Sequence, residues 1–152
     1  MASVNIPRLD LSKYIQGTDS EKKQFSDDIG KAFNDTGFVT ITNHGLSKEL
    51  INDLYEQVKA FFALSDETKL KYQKIELAGQ RGYTAKGREK AKDAKTPDLK
   101  EFWQTGQYVE GDDVRRADYP DNLIVDEVPE FNIVTQEIYK RLETAGKHIL
   151  KA

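Results

Sequence analysis

Only three stretches of this chain read as β-strand, and each is short and isolated. Ile6–Leu11 alternates loosely, Phe38–Thr42 ("FVTIT") is rich in β-branched residues, and Glu101–Val109 ("EFWQTGQYV") carries Phe102 and Trp103. Strands so few and so dispersed cannot close a sheet. They leave open edges that must be covered by further polypeptide or by a second copy of the chain.

Helices fill most of the remainder. "TDSE" at Thr18–Glu21 fits a capping box, in which a hydroxyl and a glutamate satisfy orphan amides reciprocally. Behind it Phe25, Ile29, Ala32 and Phe33 mark one helical face, and Gly37 is placed to end the helix. "NHG" (Asn43–Gly45) then reads as a turn. Ser47 is a favoured N-cap for a second helix, with Leu46 and Ile51 positioned as a hydrophobic staple. Its apolar face runs through Leu50, Leu54, Val58, Phe61 and Phe62. "SDET" at Ser65–Thr68 opens a shorter helix with acidic residues at its positive end. From Gly79 to Pro97 the chain reads as a long loop, and Gly111–Val128 as acidic and irregular. The final segment is helical, with Phe131, Val134, Ile138, Leu142, Ala145 and Ile149 on one face. Ile149 and Leu150 abut the chain end without a glycine or asparagine cap, the pattern expected of a chain cut within a helix.

A chain of 152 residues supports one domain with a core of its own and is short for two. With no cysteine there is no disulfide framework and no thiolate ligand or nucleophile. No apolar run approaches the ~20 residues of a membrane span, and the N-terminus lacks a secretory pattern, so no membrane partner and a cytoplasmic protein are expected. A net charge of −3 argues against nucleic acid as a partner. The basic run Lys86, Arg88, Lys90, Lys92 and Lys95 is interrupted by Glu89 and Asp93 and has no stacking aromatics, so it reads as solvated loop.

The chemistry-bearing residues are sparse. There are two histidines, His44 and His148, and neither is followed two positions on by a carboxylate, as a facial iron triad requires locally. His44 reads as a turn residue whose ring caps backbone groups, and His148 as the border of a helix's buried face. Phosphate-loop and nucleophile-elbow patterns are absent. The pairs Asp27–Asp28 and Asp112–Asp113 lie among polar residues, without the burial that tunes a carboxyl for acid–base work. "RGY" (Arg81–Tyr83) is the strongest candidate. Arginine offers a planar fork for carboxylates and tyrosine an apolar ring with one polar end, a pair suited to an acidic small molecule. The competing reading is a surface loop with an incidental aromatic.

Several pieces, taken in order, resemble the N-terminal region of the isopenicillin N synthase-like family of Fe(II)- and mostly 2-oxoglutarate-dependent oxygenases. They are "IPRLDLS", "GFVTITNHG", "FFALSDETKLKY", "GQRGYT", "DLKEFWQTG" and the "PEF" leading the last helix. The resemblance implies an α/β (α+β) fold: a helical N-terminal portion, residues 1–152, whose few strands join the edge of a double-stranded β-helix (jelly-roll) core absent from this chain. In that family the core carries an H-x-D motif, a distant second histidine and an R-x-S motif gripping the co-substrate. None occurs here; the residues two positions after the arginines are Asp10, Tyr83, Lys90, Ala117, Asp118 and Glu143.

The resemblance therefore implies no metal, cofactor or catalytic residue in this chain, with Fe(II) and 2-oxoglutarate used by an intact parent. That parent would hydroxylate, desaturate or ring-close a small-molecule substrate, touched near the pocket mouth by Arg81 and Tyr83. The chain alone is expected to be inactive, its partners being the missing C-terminal jelly roll and, through exposed strand edges, a second copy. A stand-alone binding module derived from the family is the alternative.

Overall fold

The computed structural model describes residues 5–88, 96 and 98–152. Lys90, Lys92 and Lys95 of the basic run lie outside them. Contacts gather the chain into two compact units, Met1–Lys48 with Lys140–Ala152, and Glu49–Tyr139.

The first unit is built around a parallel strand pair. Strand β1 (Arg8–Asp10) runs into helix α1 (Leu11–Gln16), then α2 (Asp19–Thr36), and the chain returns as β2 (Thr40–Thr42). The register pairs Arg8 with Thr40, Leu9 with Ile41 and Asp10 with Thr42. A parallel pair needs such a crossover, because a tight turn cannot reverse the chain twice. Strand Ile6–Leu11 is thus shorter than its sequence suggests. Asp10 ends it by accepting the Ser12 amide at 2.9 Å, which starts α1 at Leu11. The same carboxylate accepts from Asn43 Nδ2 at 2.8 Å, tying the start of α1 to the end of β2.

Helix α2 begins with the expected capping box, the Thr18 hydroxyl accepting the Glu21 amide and Glu21 accepting the Thr18 amide. It ends at Gly37, whose φ of 73° would strain any residue with a Cβ. The core of this unit is Leu11, Phe25, Ile29 and Ala145, all essentially buried. Phe33 is 51% exposed, contrary to its expected place in the core. At ~100° per residue it stands about 80° round the helix from Phe25, outside the stripe that Ile29 and Ala32 complete.

The second unit takes α3 (Lys48–Phe62, all but its first residue), α4 (Asp66–Leu70) and the early part of α5 (Pro129–Lys151). Its sheet is an antiparallel pair, β3 (Gly82–Thr84) with β4 (Phe102–Gln104), which sets Tyr83 opposite Trp103. The sequence reading missed β3, placing it in a loop, and overextended β4. Phe61 and Phe131 are buried and stack with ring centres 5.2 Å apart, while Trp103 meets both edge-on. Tyr72, Tyr83 and Val125 complete the cluster. Burying aromatics of this size dominates a small core's energetics.

Irregular backbone is fastened to this core by two asparagines. Asn122 exchanges two hydrogen bonds with the backbone of Gly106, at 2.7 and 2.9 Å. Asn132 of α5 does the same with Val125, at 2.8 and 2.9 Å. Each side-chain amide supplies the donor and acceptor that a neighbouring strand would otherwise supply.

Candidate functional site

Arg81 and Tyr83 lie at and beside the start of β3, on either side of a glycine that has no substitute. Gly82 has a φ of +79°, and a Cβ there would stand 2.4 Å from the Tyr72 carbonyl oxygen and 2.5 Å from Leu123 Cδ1. This close approach lets β3 pass between the 72–73 backbone and Leu123, and it buries both neighbours. Neither residue belongs to a surface loop.

Arg81 is 7% exposed. Its Nε donates to the Pro120 carbonyl at 3.1 Å and one terminal nitrogen to the Gln80 carbonyl at 2.7 Å. The guanidinium lies over Gly106, where a Cβ would come within 1.8 Å of Cζ. Among the described residues no carboxylate pairs with it. A guanidinium has five N–H donors, so part of the fork is left without a hydrogen bond.

Tyr83 is 4% exposed and belongs to the aromatic core. Its hydroxyl donates to Glu101 Oε2 at 2.5 Å, and the same oxygen accepts from Lys69 Nζ at 2.8 Å. Lys69 is itself buried, and also reaches Asp66 at 3.0 Å; Lys86 approaches the other Glu101 oxygen at 3.5 Å. The hydrogen bonds from Lys69 and then Tyr83 hold the Glu101 carboxyl down at about 2. Burial, reinforced by the bond to Glu101, pushes the Tyr83 phenol up to about 12. Lys69 is held protonated above the usual lysine range, chiefly by its bond to Glu101. Sequence reading did not find Lys69 and Glu101: they lie 32 residues apart, and nothing local marks either as buried.

Tyr83 and Thr84 also form a wall of a pocket of about 180 Å³ on the same unit, with Gln73, Lys74 and Arg88 among its other lining residues.

The histidines contribute no metal site. The Leu46 amide donates to His44 Nδ1 at 3.2 Å, so the ring caps its turn, and His148 is half-buried on α5. Among the described residues no three His, Cys, Asp or Glu side chains gather as ligands, so the donor set here does not fit an iron centre.

Residues 6–127 match the family model described as "non-haem dioxygenase in morphine synthesis N-terminal". A 2-oxoglutarate-dependent dioxygenase of Monascus ruber, citB, is 31% identical over 117 residues, covering 76% of this chain and 35% of that protein. The crystal structure of a putative 2OG-Fe(II) oxygenase family protein from Caulobacter crescentus superposes with a TM-score of 0.82 at 32% identity. That match covers 97% of this chain and 47% of that one. A full-length Neurospora crassa protein crystallised in complex with alpha-KG has the same fold over 95% of this chain and 44% of its own, with a TM-score of 0.74 and 24% identity. The chain thus spans less than half the length of each of these relatives.

Proposed function

This chain belongs to the non-haem dioxygenase N-terminal family, and from that premise we propose that it is the scaffold portion of an Fe(II)/2-oxoglutarate-dependent oxygenase acting on a small molecule. In this reading hydroxylation, desaturation or ring closure is the work of the intact parent, and these residues are inactive alone. The observation that carries it is the disproportion of the matches. They take nearly all of this chain but less than half of these two relatives, and among the described residues no ligand set assembles. A C-terminal jelly roll is the partner this reading requires.

In the intact enzyme Arg81 and Tyr83 contact substrate. Support for Arg81 comes from its burial and from the lack of a carboxylate partner among the described residues, its two hydrogen bonds going to backbone carbonyls. Support for Tyr83 comes from its place in a pocket wall. Because its hydroxyl is donated to Glu101, Tyr83 offers its other atoms.

Calorimetry of the 152-residue chain with Fe(II) and 2-oxoglutarate tests the assignment. Fe(II) is not expected to bind at micromolar concentration, with or without 2-oxoglutarate. Micromolar ferrous affinity, or turnover by the purified chain, overturns it.

A further inference from the structure

The pocket beside β3 has a charge pattern that the oxygenase assignment does not use. Its wall includes two cationic side chains, Lys74 and Arg88, and no acidic residue among the described ones. Neither cation makes an ion pair or a side-chain hydrogen bond among the described residues. Several other cations of this unit are matched: Lys69 and Lys86 share Glu101, Lys71 pairs with Glu127 and Arg116 with Asp121, while Arg81 donates to backbone carbonyls. Two unmatched cations in one concavity repel each other, and an anion between them removes that penalty.

Neutral donors complete the set. The Gln73 Oε1 atom accepts the Ala85 amide at 3.1 Å, which fixes the orientation of the side-chain amide and leaves its NH₂ as a donor. The Thr84 hydroxyl is also at the pocket, 3.6 Å from where a Cβ on Gly79 would stand. Thr84 is 8% exposed, so this donor is shielded from bulk water.

We propose that this pocket is a binding site for a small carboxylic acid, with Lys74 and Arg88 as counter-ions and Gln73 and Thr84 as neutral donors. The start of a short 3-10 helix, Ile75–Leu77, also lines the pocket, but it is a single turn and the charged donors are side chains. A planar guanidinium takes a carboxylate or a phosphate bidentately, so the titration below sets one against the other. The volume of about 180 Å³ is the room of roughly six waters at ~30 Å³ each, enough to seat a short aliphatic acid. The pocket is the one whose wall Tyr83 helps form, so the inference deepens the substrate-contact reading of Tyr83, but occupancy requires neither iron nor a jelly roll and is tested apart from the oxygenase assignment.

The test is a titration of the ¹⁵N-labelled 152-residue chain with succinate, inorganic phosphate and the uncharged succinamide. Succinate is expected to shift the amide resonances of residues 73–88 saturably, with succinamide and phosphate at least tenfold weaker. Lys74→Gln and Arg88→Gln each weaken succinate binding roughly tenfold, the worth of one charge-assisted hydrogen bond, with thermal melting unchanged. Lys59→Gln, on the exposed face of α3, leaves binding unaltered. The proposal is overturned if succinate shifts are unsaturable or scattered over the chain, if phosphate binds as tightly, or if the double variant binds like the parent protein.

Discussion

Glu101 gathers Lys69, Tyr83 and Lys86 around one carboxylate, and its protonation carries a stability signature. Its carboxyl sits at about 2, against the ordinary 4.5, so the stabilisation is complete above the ordinary value and is lost as pH falls toward 2. Lys69 and Tyr83 are both raised, so their share is complete below the ordinary lysine and phenol ranges and is lost on the alkaline side. Urea denaturation of Glu101→Gln across acid pH will therefore show a flatter profile than the unsubstituted chain. Lys69→Met, which leaves Glu101 in a largely buried position without its closest cation, will cost about 3 kcal/mol at neutral pH in the same assay. Gly82→Ala combines a strained φ with a clash against backbone, and its melting temperature will fall well below that of Gly30→Ala, where a Cβ meets nothing. Arg81 and Tyr83 were legible as candidates from residue type alone. Their burial was not, because it depends on Leu123, Gly106 and Pro120, far away in sequence.

At the scale of elements, local signals were readable wherever they closed within a few residues. The Thr18–Glu21 box and the Gly37 cap are of this kind, and both stand where the sequence put them. Thr18→Ala will cost ~1 kcal/mol in thermal denaturation, and Thr18→Ser will restore most of it. Elements that depend on distant partners were harder to see. Strand β3 is three residues long and begins with glycine, so no alternation announces it; it exists because β4 pairs with it. Helix α1 was hidden because its first residue, Leu11, continues the alternation of β1, and only the Asp10 cap divides the two. Helical periodicity gives the direction of a side chain but not what stands opposite, which is why Phe33 and Leu142 are about half exposed despite their spacing.

Taken as a whole molecule, the chain displays two separate strand pairs among its described residues, too few strands to close a sheet, although the outer side of β3 is bridged by Gln73. Phe38, next to β2, is 66% exposed. Light scattering is expected to show concentration-dependent self-association, with binding of a hydrophobic dye that Phe38→Ser reduces. A strictly monomeric chain that binds no dye would contradict this. The family was legible because its pieces recur in order along the chain, each weak singly. A substrate was not legible, since the sequence carries neither an H-x-D nor an R-x-S motif. No described helix is long and apolar enough to cross a membrane. The two asparagine fasteners have one more consequence. Asn122 closes a loop on Gly106, sixteen residues back, and within that loop Pro120 accepts from Arg81 and Tyr108 packs on Tyr139, so both of its flanks are tied down while its tip at Gly111 and Asp112 is exposed. Doubling such a loop costs only ~0.6 kcal/mol in closure entropy. The tip at Gly111 and Asp112 is therefore where evolution is free to lengthen or shorten this protein, and where an inserted tag will be carried without being felt.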